Sequence, residues 1–173
     1  MGRKPTPYLI AEHVRIEPLS GRPQDAEKVI AFDPGELFTG VAVWDIPSNQ
    51  KTTFTLTAAD FDEMLRKVID YLKENVTDKT YIICEMTFIQ HPSATFIWQL
   101  IGLIRYFYRD HLCAVPPSQA NKGAYGYGRP KLSEKKKILK GRGWQGLKTD
   151  HEVSAATLVE FFRARFLRKN ALF

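Results

Sequence analysis

The stretch VIAFDPGELFTGVAVWDI, residues 29–46, constrains the fold most. It holds two short apolar runs separated by an acidic turn. Runs of this length, rich in β-branched and aromatic residues and bounded by Pro and Gly, read as buried strands rather than helices. Val29 to Phe32 forms one strand and Thr39 to Ile46 the next, with Asp33-Pro34-Gly35 between them. The first strand therefore ends on a carboxylate, just before the chain doubles back.

Further along, the polar residues 48–51 (SNQK) supply a hairpin turn, and a third strand is expected over 51–57. Phe61, Met64, Leu65, Val68, Ile69 and Leu72 then recur at helical spacing, so a helix is expected over 60–75, with Asp60 and Glu63 as a capping box. YIICEM, within 80–86, is a fourth buried strand. Residues 93–109 make a second helix, capped by Ser93 and apolar almost all round. Such a helix is either central or buried in an oligomer interface. A short strand follows at CAVPP, then a basic Gly-rich stretch with a helix over 131–140 and Ser133 near its N-cap. The last helix spans 150–169, acidic at its start and basic at its end, as the helix dipole favours. The order β-β-β-α-β-α-β-α-α predicts an α/β domain whose mixed sheet has three antiparallel strands, then parallel ones, with helices on both faces. Residues 1–27, with four prolines and little periodicity, read as a loosely ordered arm before a domain over 28–173.

At 173 residues, 44% of them hydrophobic, the chain can build one proper core without disulfide staples. Cys84 and Cys113 lie in apolar runs, without CxxC or zinc spacing, and read as small core residues in a reducing compartment. No apolar run approaches the roughly 18 residues of a membrane span. The first residues lack the apolar core of a signal peptide. A soluble, cytoplasmic protein is expected. Net charge is +6, but it is unevenly placed. Residues 122–148 hold nine basic side chains and one acid, Glu134, so this segment carries +8 and the remainder is slightly acidic. That concentration reads as a polyanion-contacting surface, the alternative being a solvated basic loop.

Asp33 ends the first strand and Glu85 the fourth; Asp150 and Glu152 open the last helix. Each carboxylate alone has a plain explanation: Asp33 can initiate a turn, and Glu85 can reach solvent from a strand end. Their recurrence at the ends of apolar runs is the stronger signal, because a carboxylate in a buried strand is costly unless a cation compensates it. If strands one and four are neighbours, Asp33 and Glu85 sit side by side, and oxygen ligands suit Mg²⁺ or Mn²⁺. Such ions can activate water against a phosphodiester. None of the four histidines has an evident serine or cysteine partner for covalent catalysis.

Four blocks in order resemble the RuvC-type Holliday junction resolvases: FDPGELFTGVAVWD, IICEMTFIQHPSATFIWQLIGLIRYF, VPPSQANKGAYGYGRPKLSEKKKIL and HEVSAATL. They cover about residues 28–168, and the short chain with its separate arm resembles a bacteriophage version. The resemblance implies a ribonuclease H-like fold and a homodimer, joined through the helix at 93–109, that nicks four-way DNA junctions symmetrically with Mg²⁺. It implies Asp33 and Glu85 as metal ligands. Lys122, Arg129, Lys131, Lys135, Lys136 and Lys137 become DNA contacts, holding phosphates rather than reading bases.

Phe88 stands where the family often has an aromatic near the junction centre. It can wedge or stack against bases, or simply fill the core. Tyr125 and Tyr127 sit among the glycines of the basic run and read as further DNA contacts; Trp144 stays unassigned. One position departs from the pattern. His151 fits the start of the last motif, but Ser154 stands where the family has an aspartate. Either Asp150, one turn earlier, takes over the metal with His151 beside it as ligand or proton carrier, or Glu152 does, or the site is impaired. Two further alternatives remain in the same class: cutting of flaps and forks, and branched-DNA binding without cutting. An actin-like kinase or ATPase, which shares the opening strand and turn, needs a duplicated domain and more residues than this chain has.

Overall fold

The computed structural model describes residues 23–87 and 94–167. Five strands form one sheet in the order β3-β2-β1-β4-β5: β1 (Lys28–Asp33), β2 (Phe38–Asp45), β3 (Gln50–Thr57), β4 (Thr80–Glu85) and β5 (Leu112–Val115). The first three are antiparallel, whereas β4 pairs parallel to β1 and β5 parallel to β4. The expected mixed sheet and the adjacency of the first and fourth strands are both present. The helices are α1 (Phe61–Asn75), α2 (Ala94–Tyr108), α3 (Pro117–Tyr125), α4 (Leu132–Gly141) and α5 (Asp150–Phe162), the last running into a π-helical turn at Arg163–Leu167.

The inner strands are continuously apolar because both faces of the sheet are covered. Ile30, Phe32, Val41, Ile82 and Cys84 point to α1 and α2, where they meet Met64, Val68, Leu72, Phe96 and Leu100. Val29, Ala31, Ala42, Trp44, Tyr81 and Ile83 point the other way, to α5 and its Val153, Ala156 and Val159. Each large side chain fully buried in this way contributes about 1.5–3 kcal/mol. Both cysteines are buried in these cores.

Helix α1 starts where its caps predict. Asp60 accepts from the Glu63 N–H at 2.8 Å, while the Glu63 carboxylate reaches back to the Ala59 N–H at 2.6 Å rather than to Asp60. Helix α3 was not expected. Its polar sequence buries only Ala120 and Ala124, so it lacks an apolar period, but Pro117 at its first position and left-handed Gly126 after its end mark both boundaries. Helix α4 begins after Lys131, so Ser133 lies in its first turn and is not the cap. Helix α2 uses one face for the core and leaves Tyr106 and Phe107 exposed, so packing within this chain does not consume all its apolar surface. Ser93 and most of the N-terminal arm lie outside the described residues.

Candidate active site

The parallel register of β1 and β4 pairs Phe32 with Cys84, which brings the next residues, Asp33 and Glu85, together at the strand ends. Both share the sheet face of Ala31 and Ile83, toward α5. The two carboxyl groups are within hydrogen-bonding reach of each other.

The first turn of α5 closes over them because Gly40 lets it. Gly40 pairs with Asp33 across the β1–β2 ladder, and a Cβ there would collide with the backbone carbonyl of His151. With no side chain in the way, α5 lands on β2, and His151 donates from Nδ1 to Asp33 Oδ2 at 2.8 Å. Thr39 ties the intervening turn, taking the Gly35 N–H at 3.2 Å and donating to the Gly35 carbonyl at 3.0 Å. Thr149 caps α5 by accepting the Glu152 N–H at 3.1 Å.

The electrostatics are those of a strained anionic pair. Burial raises the Asp33 carboxyl above its ordinary value, against the hydrogen bond and charge of His151. Glu85 is pushed well above its ordinary value, first by burial and then by the charge of Asp33. His151 is held above its usual value by its bond to Asp33, against burial, with the charges of Asp33 and Asp150 in support. Lys135, half-buried in the first turn of α4, faces both carboxylates and favours their ionised forms. Its burial lowers its own proton affinity, and the two carboxylates oppose that. Lys135 thus acts electrostatically on the carboxylate pair, a role its position in a run of three lysines does not reveal.

The other expected site residues are placed less centrally. Glu152 is buried and fully engaged: its oxygens take hydrogen bonds from Thr53 (3.2 Å), Thr55 (2.9 Å) and the Lys148 N–H (2.8 Å), so it serves the contact between α5 and β3 rather than the carboxylate pair. Asp150 is exposed at the start of α5, with Ser154 one turn on. Among the described residues, no group of three His, Cys, Asp or Glu side chains is assembled to hold a metal.

Tyr125 packs against the core, and its hydroxyl pairs with Thr157 at 2.7 Å. Burial pushes that phenol up to about 12. Tyr127 is exposed, beside Glu134. Lys122, Arg129, Lys131 and Lys137 are exposed and Lys136 partly so. Phe88 lies outside the described residues.

A cluster that the sequence did not reveal lies at the far end of α5. Glu160 is fully buried and accepts from Trp144 Nε1 (3.0 Å), Arg142 (3.1 Å) and Arg163 (2.7 Å), with Lys51 at 3.5 Å. The Lys51 ammonium lies between the rings of Trp44 and Trp144. This assigns Trp144 a structural part, and removes Arg142 from the freely available basic residues.

No protein-family profile matches the chain, and no curated protein does. Among solved structures it is similar to RuvC of Thermus thermophilus, with a TM-score of 0.60 at 14% identity over 80% of this chain and 95% of that one. The same RuvC in complex with Holliday junction substrate gives a TM-score of 0.61, with the same identity and coverage. A Fowlpox virus resolvase in complex with its substrate Holliday junction DNA aligns at 15% identity over 84% of this chain and 99% of that one, with a TM-score of 0.49. The protein thus has an α/β fold of the ribonuclease H-like kind. More narrowly, it has the fold of RuvC, as the four sequence blocks implied. Among the described residues, no helix is long and apolar enough to cross a membrane.

Proposed function

We propose that this chain is a divalent-metal-dependent endonuclease that nicks branched DNA, four-way junctions foremost, and acts as a homodimer. The observation that carries this reading is the pair Asp33 and Glu85: two buried carboxylates at the ends of adjacent parallel strands, both raised in proton affinity by burial, in a chain with the RuvC fold. Such a pair fits a hard dication. Mg²⁺ commonly uses only one or two protein carboxylates and completes its shell with water and substrate phosphate, which suits the pair Asp33 and Glu85. When bound, the ion would supply an acidified water and charge stabilisation at the phosphate.

The remaining roles belong to the chain's own groups. Asp33 and Glu85 hold the ion. His151 fixes Asp33 through its Nδ1 proton. Lys135 adds positive charge beside the scissile phosphate. Lys122, Arg129, Lys131, Lys136 and Lys137, with Tyr127, grip the backbone of the arms. Tyr125, its hydroxyl spent on Thr157, supports this surface from beneath. The exposed Tyr106 and Phe107 on α2 mark the dimer face.

A second reading, a branched-DNA-binding chain that does not cut, draws on Ser154, which stands where the resolvase motif has an aspartate. Cleavage of a labelled four-way junction, a flap and a fork in Mg²⁺ and Mn²⁺ separates the readings. Paired junction nicks that vanish in Asp33→Asn support the resolvase. Cleavage only after Ser154→Asp marks a site intact except at that residue. Tight binding with no cleavage by either chain rejects the enzyme.

A further inference from the structure

We propose that Phe38, with Leu37 beside it, is a stacking platform for the nucleobase that flanks the phosphate held at Asp33 and Glu85. The inference deepens the nuclease reading and rests on it.

The register sets the position. β1 ends at Asp33 opposite Gly40, while β2 begins two residues earlier, at Phe38. Side chains two apart on a strand share a face. Phe38 therefore lies on the face of Gly40, Ala42 and Asp33, one step beyond the carboxylate, with no β1 residue alongside. That diagonal separation is within reach of an aromatic side chain.

The exposure has no account in the fold. Phe38 is 52% exposed and Leu37 45%, and neither belongs to either core. Phe38 has no aromatic partner among the described residues. Their backbone, by contrast, is firmly held. The Leu37 carbonyl accepts from Ala58 at 3.0 Å, Phe38 pairs with Thr57, and the turn before them is tied by Thr39. The Phe38 carbonyl also closes so tightly on Gly35 that a Cβ there would strike it. The ring is thus presented on a tied turn beside an acidic pair, on which the Lys135 charge also acts. A cation that acts on the carboxylate pair and an apolar ring beside it match the phosphate and base of one nucleotide. A bare aromatic face takes any base, which suits a substrate recognised by shape.

The test uses a four-way junction carrying 2-aminopurine at each position flanking the nick, bound by the non-cutting Asp33→Asn chain. A fluorescence change confined to one flanking position, lost in Asp33→Asn/Phe38→Ala and kept in Asp33→Asn/Phe38→Tyr, is the expected result. In the otherwise native chain, Phe38→Ala should slow single-turnover cleavage about ten- to hundredfold. Phe38→Tyr should stay near native and Phe38→Leu should not, since leucine is apolar but has no π face. The urea midpoint of Phe38→Ala should match the native one, because the ring lies outside both cores. DNA binding with no Phe38-dependent signal, or native cleavage by Phe38→Leu, overturns the stacking site and leaves the nuclease reading standing. Failure to bind any branched DNA overturns both.

Discussion

Replacing Gly40 by alanine asks whether one missing methyl group holds the site together. The added Cβ would strike the carbonyl oxygen, carbonyl carbon and Cβ of His151. These are not the tip of a flexible side chain, so the first turn of α5 must retreat, on the order of 1 Å, as overpacked positions do at a cost of about 1–3 kcal/mol. For a chain of this size that lowers Tm by about 2–12 °C. The functional loss should be larger. The retreat opens the 2.8 Å bond from His151 to Asp33, and a misplacement of about 1 Å at positioned groups can cost a hundredfold in rate.

The assay is single-turnover nicking of a four-way junction, beside urea denaturation and an NMR titration of His151. The histidine, released from Asp33, should titrate closer to its ordinary value. Gly141→Ala is the control: its Cβ meets nothing, so it should gain about 0.4–1 kcal/mol through the unfolded state and leave the rate alone. A Gly40→Ala chain that cuts within threefold of native, with an unmoved His151, would refute the close seating of α5 on β2.

Three further outcomes are expected. Glu160→Gln should destabilise by about 3 kcal/mol in urea, because it leaves the buried Lys51 and the partly buried Arg142 and Arg163 without their carboxylate. Burial pushes Glu160 upward, but the bonds from Trp144 and Arg163 and the charges of Arg163 and Lys51 outweigh it, so its net shift is downward. Its stabilisation is therefore present above the ordinary carboxylate value and lost as pH falls through the depressed one, and the gap between native and variant should narrow in acid. Glu85 has the opposite sign. With its proton affinity raised, its contribution to the metal-free fold is full below the ordinary value and lost as pH rises through the elevated one. Metal-free native protein should weaken over that rise and recover with Mg²⁺, followed by thermal melts, and Glu85→Gln, which keeps Asp33, should show both effects reduced.

The strands were legible because each is a short apolar run ended by turn residues, and the pairing of Asp33 with Glu85 was legible because an acid ending such a run is unusual. What escaped depended on distant partners or on polar sequence. Helix α3 has no apolar period to read. Glu152 stood open as a metal ligand until Thr53 and Thr55, on a strand nearly a hundred residues earlier, were seen to take its oxygens. Glu160 was one acid in an apolar helix, and nothing local announces that Lys51, Arg142 and Trp144 converge on it. Lys135 was indistinguishable from Lys136 and Lys137 until the first turn of α4 was oriented toward the carboxylates.

The outer flank of β3 carries one more consequence. Gln145 forms a single parallel bridge to Thr52, and its N–H reaches the Lys51 carbonyl at 3.4 Å. One residue of a returning loop thus occupies part of the ladder that β3 would otherwise offer to a stranger. The opposite flank, β5, is only four residues long. A sheet blocked on one side and short on the other gives a second copy little backbone to zip onto. The same guard lowers the risk of runaway sheet growth.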